Sequence, residues 1–143
     1  MDGPGFTSSA RAVYTARQCL WESLVAIEIH WIRDDLSLAE HCRDWRQLPF
    51  VAVDTEFMRV DTFYPKAGLI QIGDGKCAFL IDPLLIGNWQ PLAELIEDRN
   101  VVKVLHACSE DLEVLLRLTG KLPQPLFDTQ LAAGYLNLGF SMG

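Results

Sequence analysis

At 143 residues, half of them apolar, the chain can bury one compact core and is too short for two ordinary domains. A formal net charge of -7 excludes a general polyanion binder, because nonspecific affinity for nucleic acid comes from Lys and Arg displacing counterions, so a nucleic-acid substrate has to be held by metal ions and a few local cations. Glu28, His30 and Arg33 break the first hydrophobic stretch, which leaves no run suited to crossing a bilayer.

Residues 1–24 carry Gly, Pro and Ser early and no acid between Asp2 and Glu22, and are expected to be disordered or a non-native extension ahead of a domain over 25–143. Ile27 to Ile32 reads either as a first strand or as the end of a helix. Ser37 with Glu40 makes a capping box, and Leu38, His41, Cys42, Trp45 and Leu48 follow at helical spacing up to Pro49. From Phe50 the period changes to short β-branched and aromatic runs, FVAVDTEF, GLIQIGDG and CAFLIDP, which predict an antiparallel three-stranded meander with Asp74-Gly75 as its second turn. FVAV is apolar throughout and is expected to be buried on both faces.

Asn88 is expected to cap a helix carrying Leu92, Leu95 and Ile96, and VVKVLHA to be a fourth strand, mostly apolar on both sides and reached by a right-handed crossover. Ser109 then caps a helix with a Leu112, Leu115, Leu116 stripe that stops at Gly120. KLPQPLF reads as an extended connection, and Asp128 as the cap of a last helix through Leu138. The result is an α/β chain with a mixed sheet, three antiparallel strands and then parallel ones, flanked by helices; this layout is similar to the ribonuclease H-like architecture. Cys19, Cys42, Cys77 and Cys108 form no C-x-x-C pair and read as reduced residues of a cytoplasmic protein.

Asp54 and Glu56 lie two apart on the first strand of the meander, so both carboxylates share one face. Acids held that close repel each other unless a cation sits between them, and a divalent metal is the simplest resolution. Solvated acids at a strand end are the bland alternative. Asp111 stands in the first turn of the helix after the fourth strand, where a negative side chain also suits the helix dipole, and Glu110 and Glu113 compete with it for any role. His106 is either a hydrogen-bonded structural residue or a substrate contact. Phe57, Met58 and Phe63 are either core or an apolar wedge against a terminal base, while Arg59 and Lys66 either meet phosphates or are solvated.

FVAVDTEFMRVDTFYPKAGLIQIGDG, LIDPL and VLHACSEDLEVLLRLTGKLPQPLFDTQLAA resemble the exonuclease domain of the ribonuclease D family, within the DEDD superfamily, from about Ile27 onward. The resemblance implies a 3′-to-5′ exoribonuclease acting on RNA 3′ ends such as transfer-RNA precursors, with no membrane and no obligate protein partner. It implies two divalent metal ions, Mg2+ or Mn2+, with Asp54, Glu56 and Asp111 as catalytic and metal-ligating residues. Thr55, Phe57, Met58 and His106, around these acids, are the candidate nucleic-acid contacts. The family's third motif, Tyr-x-x-x-Asp, has no match: Tyr14, Tyr64 and Tyr135 are followed four residues on by Gln18, Gly68 and Gly139. The expectation is therefore a truncated, weakly active or inactive exonuclease domain. A DNA-directed exonuclease of the same superfamily and an inactive nucleic-acid-binding remnant are the alternatives.

Overall fold

A computed structural model describes residues 27–59 and 63–138. The extension expected over 1–24 lies outside the described residues. In chain order the elements are β1 (Glu28–Ile32), α1 (Asp35–Trp45), β2 (Phe50–Met58), β3 (Lys66–Gly73), β4 (Cys77–Ile81), α2 (Gln90–Glu97), β5 (Val102–Leu105), α3 (Ser109–Thr119), β6 (Leu126–Asp128) and α4 (Thr129–Tyr135). They build one six-stranded sheet in the order β1-β4-β3-β2-β5-β6. The β2-β3-β4 meander is antiparallel, whereas β1 joins β4, β5 joins β2 and β6 joins β5 in parallel. This is the mixed sheet flanked by helices that the pattern predicted, a ribonuclease H-like fold.

Ile32, Val51, Val53, Ile70, Ile72, Phe79, Ile81 and Leu105 line one face of the sheet and pack with Leu38, Cys42, Trp45, Leu92, Leu95, Ile96 and Leu115 from α1, α2 and α3. The other face of β2 is different. Phe50 and Ala52 alternate with buried Val51 and Val53 and are exposed, so the expectation that FVAV is buried on both faces fails. The reason is positional: the three helices cover one side only, and β2 turns every second residue away from them.

Several local expectations also shift. Helix α1 is capped by Asp34, whose carboxylate accepts from the Ser37 N–H at 2.8 Å, so Ser37 sits inside the first turn. At α2, Asn88 Oδ1 does take the Gln90 N–H at 3.1 Å, while Trp89 occupies the cap position. Ser109 is the first residue of α3 and caps nothing. The loop ahead of it is held instead by Asp128, which accepts the N–H groups of Ala107 and Cys108 at 3.1 and 3.0 Å.

The buried face of α3 is Asp111, Val114 and Leu115, and Leu116 faces outward. KLPQPLF ends in the short strand β6, which its prolines and three-residue length hide from any period-based reading. Asp128 caps α4 as expected, through the Gln130 and Leu131 N–H groups, although that helix stops at Tyr135 rather than Leu138. Strand β5, expected to be mostly apolar on both faces, carries a fully buried cation, Lys103.

Candidate metal and nucleic-acid site

β2 is paired by β5 only over Phe50–Ala52. Beyond that point its edge is open, and α3 closes it. The Thr55 N–H and Oγ1 both donate to Asp111 Oδ1, at 3.1 and 2.6 Å. Thr55 and Asp111 are 6% and 8% exposed, so the carboxylate of α3 is clamped onto the strand between Asp54 and Glu56 in a shielded environment. Asp54 and Glu56 emerge on the opposite, exposed side. The helix phase resolves the choice among the three acids of α3, since Glu113 turns outward to Arg59 Nη2 at 2.7 Å while Asp111 turns in.

Electrostatics tie the three acids together. The Asp54 carboxyl is raised above its ordinary value, first by burial, then by the charge of Asp111, then by that of Glu56, with the Thr55 backbone N–H opposing. Gln71, its register partner on β3, donates one amide N–H to Asp54 Oδ2 at 2.9 Å. Asp54 therefore stands among like charges with no cationic side chain bonded to it among the described residues. An all-carboxylate oxygen set of this kind fits a hard divalent cation. The three acids nevertheless stand apart: among the described residues the one group of three ligand-type side chains with its donor atoms within 4.8 Å of one another is Glu28, His30 and Cys77, elsewhere on the sheet. The spread follows from strand geometry, because side chains two apart on β2 start about 6.6 Å from each other.

The remaining candidates surround this end of β2. A β-bulge between Glu56 and Phe57 interrupts the pairing with β3, and bulges often re-aim side chains beside functional sites. Past it, Met58 is 65% exposed and Phe57 half-buried. Thr55 is turned inward, its hydroxyl committed to Asp111. His106 is exposed, with Nδ1 2.8 Å from Thr129 Oγ1. That hydroxyl donates to the Leu105 carbonyl at 3.1 Å, so it meets the ring as an acceptor. Sequence reasoning missed the Thr55–Asp111 clamp altogether, and only the hydroxyl between the two strand acids signalled it.

An antiparallel meander continued by parallel strands, with acids on its central strand and on the helix that docks there, defines a ribonuclease H-like nuclease architecture. The sequence profile described as 3′-5′ exonuclease matches residues 29–143, and the chain belongs to that family. It is similar to ribonuclease D of Pseudomonas paraeruginosa, 70% identical over 120 residues, covering 84% of this chain and 32% of that protein. Ribonuclease D of Escherichia coli is 49% identical over 112 residues, covering 78% and 30%. The crystal structure of Escherichia coli RNase D, described as an exoribonuclease involved in structured RNA processing, superposes with a TM-score of 0.78 at 47% identity, over 82% of this chain and 31% of that one. The chain thus spans about a third of the length of these relatives. Among the described residues no helix is long and apolar enough to cross a membrane.

Proposed function

We propose that residues 25–143 are the front part of a ribonuclease D-type 3′-5′ exoribonuclease of the cytoplasm that removes nucleotides from RNA 3′ ends, such as those of transfer-RNA precursors. The single observation that carries this reading is Asp111, held by Thr55 onto the strand that bears Asp54 and Glu56 in a chain of the 3′-5′ exonuclease family. Asp54, Glu56 and Asp111 would hold two divalent ions, Mg2+ or Mn2+. Such ions supply Lewis acidity at the scissile phosphate and a more acidic water.

The chain's own residues do the positioning. Thr55 fixes where one carboxylate sits, so Asp111 need not be ordered when substrate arrives. Met58 and Phe57 offer apolar surface beside the acids, suited to packing against a terminal base. His106, with Nδ1 engaged by Thr129, keeps Nε2 free of that contact for a ribose 2′-hydroxyl, which can both donate and accept. These residues supply three carboxylates, those of Asp54, Glu56 and Asp111.

The test is a chimera that completes this segment with the rest of the Pseudomonas ribonuclease D chain, given 5′-labelled single-stranded RNA and Mn2+. Stepwise release of 3′ mononucleotides is expected, falling at least about a hundredfold in Asp54→Asn and in Asp111→Asn. Activity retained in Asp54→Asn would remove the assignment. Faster digestion of a matched DNA strand would move the substrate class to DNA.

A further inference from the structure

A second group of ligand-type side chains stands at the edge of the sheet. Register places Glu28 of β1 level with Cys77 of β4 and His30 level with Phe79, so Glu28, His30 and Cys77 share the helix-bearing face at the sheet's edge. Asp54 and Glu56 point from the opposite face. Across the sheet β3 stands between β4 and β2, so the acids are on a strand that touches neither β1 nor β4. The two groups are therefore separate in face and in strand.

Their donor chemistry differs as well. One carboxylate oxygen, one imidazole nitrogen and one thiol sulfur lie within 4.8 Å of one another. Glu28 Oε1 stands 3.4 Å from His30 Nε2. That is long for a hydrogen bond between these groups, yet it matches the ligand-to-ligand edge of about 3.3 Å expected when N and O sit about 2.0 Å from a tetrahedral ion. The His30 ring is stacked on Phe79 with centroids 5.2 Å apart, which sets its plane. Cys77 is a free thiol, and five paired residues fix the register that brings it opposite Glu28. The charged neighbours are Asp74, whose Oδ1 accepts the Lys76 and Cys77 N–H groups at 2.8 and 2.7 Å, and Lys76 itself.

We propose that Glu28, His30 and Cys77 form a second metal site, which takes a single borderline-soft transition ion of the zinc class and clamps the edge strand β1 onto β4. Thiolate and imidazole together disfavour Mg2+ and Mn2+ and favour Zn2+ or Co2+, and three protein ligands leave the fourth position to water. The ion crosslinks two strands that meet far apart in sequence, so its role is structural: it stabilises the folded state by mass action. The site does not depend on the nuclease reading.

Cobalt reports directly on the thiolate. The 143-residue chain, stripped with chelator under reducing conditions and titrated with Co2+, is expected to bind one ion with a thiolate-to-cobalt charge-transfer band and tetrahedral visible bands, both displaced by Zn2+. Cys77→Ser should abolish the charge-transfer band, and His30→Gln should weaken Zn2+ binding at least tenfold. Cys42→Ser, Cys108→Ser and Asp54→Asn should leave the spectrum unchanged, and Zn2+ should raise the Tm of the parent but not of Cys77→Ser. A parent chain without the charge-transfer band, a band that survives Cys77→Ser, or a band lost in Asp54→Asn overturns the proposal. Failure of RNA hydrolysis in the chimera leaves it untouched.

Discussion

Lys103 shows how a residue of the wrong polarity for a core can hold one together. Its Nζ lies 3.2, 2.7, 2.6 and 2.9 Å from the carbonyls of Leu95, Asp98, Val101 and Gln124. Burial pushes the ammonium down to about 8, with the Asp98 charge opposing, and the ring of carbonyls adds acceptors that favour the charged form. Lys103→Met removes this donor from all four carbonyls, of which those of Leu95 and Asp98 keep the Asp98 and Val101 N–H groups, and a loss of about 2–4 kcal/mol is expected in urea unfolding. Asp128 plays the matching role for donors. Burial would raise its carboxyl, but hydrogen bonds from Cys108, Gln130 and Ala107 hold it well below the ordinary carboxylate value. A depressed acid stabilises the fold above its unfolded value and loses that contribution as pH falls, so the parent should weaken from about pH 5 downward. Asp128→Ala should cost about 1–3 kcal/mol at neutral pH, and its acid limb in a Tm-against-pH series should be shallower than the parent's.

At the scale of elements, the join between β2 and α3 is the decisive one. Strand β2 outruns its parallel neighbour β5, and the helix repairs the open edge with a side chain rather than with backbone. Further contacts join α3 to the segment that follows β2, where Arg59 meets Glu113 and Arg117 sits 3.1 Å over the Tyr64 ring. Exposed pairs of that kind contribute little, whereas the shielded Thr55–Asp111 bond should not. A double-mutant cycle of Thr55→Val and Asp111→Asn should give a coupling of about 1–2 kcal/mol in denaturant unfolding. Additivity within about 0.3 kcal/mol would show that the two residues do not hold each other. The helix itself was legible from its apolar spacing and its stop at Gly120, which adopts φ +72. Its rotation was not, because Glu110, Asp111 and Glu113 are equivalent until a neighbouring strand fixes which of them turns inward.

For the whole molecule, the sheet is covered from one side by α1, α2 and α3, and this should be visible in the cost of substitutions. Leu95→Ala, in the core beneath that layer, is expected to cost about 2–5 kcal/mol, whereas Phe50→Ser on the open side of β2 should fall within about 0.5 kcal/mol. Equal costs would mean that Phe50 is packed. The sequence by itself determined the strands of the meander, whose β-branched and aromatic runs and Asp74-Gly75 turn are local properties, and the shared face of Asp54 and Glu56, which follows from the two-residue strand period. Only the tertiary structure decided that FVAV faces solvent on one side, that Asp111 and not Glu113 meets β2, that Lys103 is buried and that Glu28, His30 and Cys77 converge. Each of these depends on which residues distant in the chain become neighbours, and periodicity within a segment carries no information about the partner it will meet.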